Sequence, residues 1–120
     1  SLWSGHLSEP GVNRVAWEYV GCSYLLAKEM EKFKTFLSRA GTFVQGRSLP
    51  VHFQEAALVL AVEDLSVLDR VAVRSEIVQR YKQFQKDILK LKNSSDGLSW
   101  LYLQYGDTFW FYYYCKKLNG

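Results

Sequence analysis

Residues that carry site chemistry are scarce in this chain, which has two cysteines, two histidines, two prolines and one methionine. Cys22 and Cys115 lie far apart with no second pair, and that excludes a CxxC metal or redox motif. They read as two small buried apolar side chains; a disulfide between them stays open, because spacing does not show whether the sulfurs meet. With only His6 and His52, no nucleophile, base and orienting group can be named from neighbouring positions. No glycine-rich phosphate loop occurs, and no apolar run approaches the ~20 residues of a membrane span. A net charge of +3, with lysines mostly alternating with acids, does not by itself demand nucleic acid or an anionic membrane.

What is plentiful is apolar and aromatic surface, 48% and 16% of the residues, so the chain is expected to fold throughout. Its 120 residues suit one core and are few for two, which makes 1–120 a single domain. Because the chain opens at Ser1, without a methionine and inside a polar segment, it reads as a fragment of a longer protein.

The organising stretch is Leu49 to Leu65, LPVHFQEAALVLAVEDL. Between Val51 and Val62 only His52, Gln54 and Glu55 are polar, so a helix here is apolar on every face and must be buried among other helices. Pro50 suits its first turn. Before it, residues 1–11 show no period, Ala16, Tyr19, Val20, Ser23 and Leu26 predict a helix over 12–27, and Met30, Phe33 and Leu37 predict a second that ends before Gly41. After it, Val71 to Val73 are expected to be extended, with Ser75 capping an amphipathic helix through Ile77, Tyr81, Phe84, Ile88 and Leu91 that stops at the NSSDG cluster. The aromatic tail is expected to form a helix over 98–105 and another over 108–118, capped by Asp107, with Lys116 and Lys117 at its negative end.

Two resemblances follow. Trp17, Val20, Gly21 and Tyr24 are spaced as in the first helix of the tetratricopeptide repeat, with an echo at Phe53, Ala56, Ala57 and Leu60. Phe33 stands where that repeat prefers alanine, the 41–49 linker is long, and no third copy occurs. Separately, LPVHFQEA (Leu49 to Ala56), QRYKQFQ and GDTFWFYYY (Gly106 to Tyr114) resemble the C-terminal region of an uncharacterised family of multi-spanning Bacteroidetes membrane proteins. That resemblance brings no established activity; it implies a bacterial, membrane-associated parent, with a membrane domain upstream of Ser1 as the tether.

His52 and Glu55 have the i, i+3 spacing of helix-borne metal ligands, but a di-iron site needs a Glu-x-x-His order, a second such helix and further carboxylates. No metal or other cofactor is therefore expected, and Glu55 instead needs a donor such as Arg47 or a tyrosine hydroxyl. The lysines of the amphipathic helix read as a solvated face rather than a nucleic-acid surface, and the sequon at Asn93 matters only in a eukaryotic secretory protein. The expected fold is all-α, about five to six helices in tetratricopeptide-like hairpins. The expected role is non-catalytic, packing against a parent-chain domain or a protein partner without direct membrane insertion, the alternative being an enzyme or nucleic-acid-binding site invisible in sequence. Six consecutive aromatics, Phe109 to Tyr114, cannot all face one core, so Trp110, Tyr112, Tyr113 and Tyr114 are the candidate contact residues, with self-association as one outcome.

Overall fold

The computed structural model describes residues 10–39 and 49–115. Among the described residues there are six α-helices, one 3₁₀ segment and no strand, which bears out the all-α expectation. The chain divides into two compact units, Ser1–Arg47 and Ser48–Gly120.

The first unit contains α1 (Pro10–Leu26) and α2 (Met30–Ser38). Helix α1 starts at Pro10, earlier than the period predicts, since a proline at the first position loses only a donor that has no helical partner. It ends in a Schellman turn: Glu29 N–H donates to Tyr24 C=O (2.9 Å), Lys28 N–H to Leu25 C=O (3.1 Å), and Lys28 takes a left-handed φ of 56°. The tryptophan, glycine and tyrosine of the repeat-like spacing face α2. Trp17 stacks on Phe36 with centroids 4.8 Å apart, Tyr24 meets the same ring edge-on at 5.9 Å, and Gly21 is buried. Phe33 and Leu37 are the buried positions of α2.

In the second unit α3 (Val51–Ala61) is followed by the 3₁₀ segment (Leu65–Asp69), α4 (Ser75–Leu91), α5 (Ser95–Tyr105) and α6 (Phe109–Tyr114). Every residue from Phe53 to Val59 is buried, as an all-round apolar helix requires. Helix α3 packs against the 3₁₀ segment, α4 and α6, while α5 packs against α4 and α6. The element after α3 is the 3₁₀ segment, so the echo of the repeat spacing on α3 does not lead into a second hairpin of the α1–α2 kind.

Two buried polar side chains of α3 tie this unit together. Gln54, 1% exposed, donates through Nε2 to Leu49 C=O (2.9 Å) and accepts Arg74 N–H through Oε1 (2.9 Å). The N-cap position of α4 is thus Arg74, whose amide is satisfied by Gln54, and Ser75 is already helical; this corrects the expected serine cap. Glu55, 3% exposed, accepts the Phe109 amide at the start of α6 (2.9 Å). Among the described residues its donors are this amide and His52 rather than a tyrosine hydroxyl, and Arg47, the other donor expected, lies outside the described residues.

Three further expectations change. The NSSDG cluster begins a helix as well as ending one: Ser94 caps α5 by accepting Gly97 N–H (2.9 Å). Helix α6 is capped by Thr108, whose Oγ1 accepts Phe111 N–H (3.2 Å), leaving Asp107 to pair with Arg80 instead. Cys22 is exposed, against the expectation of burial, while Cys115 is buried. The expected lysine pair at 116 and 117 lies outside the described residues.

Candidate protein-contact surface

The candidate contact residues separate by depth along α6 rather than by helix face. Phe109, Trp110 and Phe111 are buried, Tyr112 to Tyr114 are half-buried, and Cys115 is buried again. Trp110 is 0% exposed, and so leaves the set of contact candidates. Its ring lies 5.0 Å from Tyr81 and 6.2 Å from Phe84, which in turn meets Tyr105 edge-on at 5.1 Å. Trp110 Nε1 is a buried donor without a hydrogen-bond acceptor. The first turn enters the core because its amides are claimed there, by Glu55 and by Thr108.

The half-buried tyrosines remain partly engaged. Tyr114 stacks on Phe84 at 6.2 Å and its hydroxyl meets that of Tyr81 at 3.3 Å; burial, aided by this contact, pushes the Tyr81 phenol well above its ordinary range. Tyr113 packs on Phe109 at 5.8 Å. Neither phenol is an isolated surface group, and each still shows one side to solvent.

An apolar surface more exposed than the half-buried α6 tyrosines lies on α5, where the sequence pointed to no residue. Gly97, Leu101 and Tyr105 recur every four positions and are buried, while Trp100, Tyr102 and Leu103 are 42%, 58% and 76% exposed. At about 100° per residue, Leu103 points opposite the Leu101 side and Trp100 and Tyr102 flank it. The signal was present: SDGLSWLYLQY carries one charge, Asp96, and apolar residues on all faces. A helix of that kind is covered on all sides or has a partner still to meet. Tyr102 lies 5.8 Å from Phe111, so the ring surfaces of α5 and α6 meet there.

A polar network borders this region. Arg80 of α4 makes a two-pronged pair with Asp107 (2.7 and 3.2 Å) and donates to Gln104 C=O (2.7 Å), which fixes the α5–α6 turn against α4. The hydrogen bond and charge of Asp107 raise the Arg80 guanidinium further above its ordinary value, and the same pair lowers the Asp107 carboxyl. Tyr105 donates to Asp87 (2.6 Å); burial, and then this bond, push its phenol up to about 12. His52 Nδ1 lies 2.7 Å from Glu55 Oε1, and this hydrogen bond, with the charges of Glu55 and Asp107, holds the imidazole above its ordinary range.

In the first unit, Val15, Tyr19 and Leu26 are 70–76% exposed and, with the exposed Cys22, form a stripe along α1 spaced four, three and four. Partial burial and the nearby Glu18 push the Cys22 thiol up, the direction opposite to that of an activated cysteine. A shallow groove of about 430 Å³ lies over Trp17, Tyr24 and Phe36, rimmed by Lys32 and Arg39. Among the described residues no group of three or more His, Cys, Asp or Glu side chains is placed to hold a metal ion, and no helix is long and apolar enough to cross a membrane.

The geometry is that of an all-helical module with an aromatic core and apolar surface left open on α5. The chain belongs to a family of unknown function, DUF6057, whose pattern matches residues 3–116. No curated protein and no solved structure matches it.

Proposed function

We propose that this domain is a non-catalytic protein-contact module whose contact face is the outer side of α5 together with the half-buried tyrosines of α6. One observation carries the reading: α5 holds three large apolar side chains in solvent and a single charge, a composition that costs solubility and is useful only where something covers it. Tryptophan and tyrosine are the side chains that protein interfaces favour. The resemblance to membrane-protein C-terminal regions supports placing the covering surface on a parent-chain domain behind a membrane tether. A reading frame upstream of Ser1 that encodes several apolar segments of ~20 residues would bear out that placement; one that encodes more helical repeats would replace it with a scaffold.

The contact face is tested by changing Trp100 and Leu103 singly to serine and following thermal stability and sedimentation. Each variant is expected to stay within about 0.5 kcal/mol of the parent in stability, as exposed positions do. Self-association, or docking to the parent chain, is expected to weaken. Loss of stability with no change in a strictly monomeric state would overturn the reading.

A further inference from the structure

Helix α6 is held at its first amide by a carboxylate from α3. Glu55 Oε1 accepts Phe109 N–H at 2.9 Å and faces His52 Nδ1 at 2.7 Å, while the Glu55 side chain is 4% exposed and that of His52 59%. A carboxylate so buried depends on its donors. One donor is a backbone amide, whose proton is permanent; the other is an imidazole, whose charge changes near neutral pH and whose ring reaches solvent. From this arrangement we infer that His52 and Glu55 form a proton-controlled latch on α6, closed while the imidazole is cationic and loosened once it is neutral.

The surrounding charges leave His52 as the switching group. Asp107, in the turn before α6, adds negative charge towards the imidazole, and Arg80 from α4 neutralises Asp107 through the two-pronged pair while lying in the field of Glu55. From α5 come the Gln104 carbonyl, bound by Arg80, and the Tyr105 phenol near the same guanidinium. No charged group of the 3₁₀ segment is among those acting on His52. Arg80 is raised, Asp107 is lowered and Tyr105 is raised, so all three move away from neutrality and keep their charge state between pH 5 and 8.

The sign follows from linkage. The folded imidazole is held above its unfolded value of ~6.5, so its contribution is complete below that pH and is lost as pH rises through the folded value. The latch is therefore closed in mild acid and loosens on the alkaline side of neutrality. One consequence, that the tyrosines of α6 respond to pH in their contacts, rests on the contact reading above; the latch itself does not.

Amide hydrogen exchange on the intact chain tests it. After correction for intrinsic exchange, Phe109 N–H is expected to be severalfold better protected at pH 6 than at pH 8. The change should follow the titration of His52 observed by NMR, with Phe84 N–H in mid-α4 as the unchanging reference. His52→Gln keeps a donor but cannot gain charge, and its exposed position preserves the fold; its Phe109 protection should be flat with pH. Equal protection of Phe109 at both pH values in the parent, or the parent's slope retained in His52→Gln, would overturn the latch.

Discussion

Gln54 shows how much one buried amide decides in an otherwise apolar helix. Both ends of its side chain are used, on Leu49 C=O and on Arg74 N–H, so one residue anchors the start of α3 and the start of α4. Gln54→Leu keeps the volume and leaves both backbone groups without their partner; denaturant unfolding should show a loss of about 2–4 kcal/mol. Lys28 makes the opposite case. It holds a left-handed φ of 56° in the Schellman turn, a conformation that disfavours a side chain. Lys28→Gly should stabilise the α1–α2 turn by about 1 kcal/mol, read as slower amide exchange in α1 and α2. Polar residues inside an apolar run were visible in the sequence at 54 and 55, and a demand for partners follows from burial. The partners themselves lie 20 and 54 positions away, a separation that no local pattern reports.

At the scale of elements, close approach sets the tolerances. Ala56 and Ala57 are 0% exposed at the centre of α3, so Ala57→Leu should destabilise by about 1–3 kcal/mol through overpacking, measured by thermal unfolding. Gly97 is more restrictive: a Cβ there would lie 2.0 Å from Leu91 C=O, because the first turn of α5 starts directly over the end of α4. Gly97→Ala should cost about 1–3 kcal/mol, and the loss should appear first as weakened α4–α5 protection in amide exchange. Helix periods predicted α1, α2 and α4, and the all-round apolar run predicted α3, to within a few residues. The tail was harder. Six aromatics in a row have no period, and Gly106 and Asp107 suggested a cap that Thr108 supplies instead, because Arg80 claims the aspartate.

Over the whole molecule, buried rings and exposed rings have different duties. Trp110, Phe84 and Tyr105 interlock inside the second unit, and removing one of them should lower stability without altering association. Leu103, 76% exposed, faces water, and changing it should alter association without altering stability. Sedimentation at several concentrations, paired with thermal unfolding of a Phe84→Leu and a Leu103→Ser variant, separates the two classes. If both variants move the same observable, the division between core and contact face is wrong.

By itself the sequence determined the helical class, the burial of α3 and the amphipathic seam of α4, because each depends on residue type and spacing within one element. It also announced that the aromatic tail exceeded what one core can hold. Only the tertiary structure decided which rings those were. Burial on α5 and α6 is set by where Glu55 and Arg80 tether the helix ends, and those two tethers join elements that are distant in the chain, while Thr108 caps α6 locally. Trp110 is therefore in the core and Trp100 in solvent, although both sit in aromatic stretches of the same C-terminal segment: a tether across the fold, rather than side-chain type, chose between them.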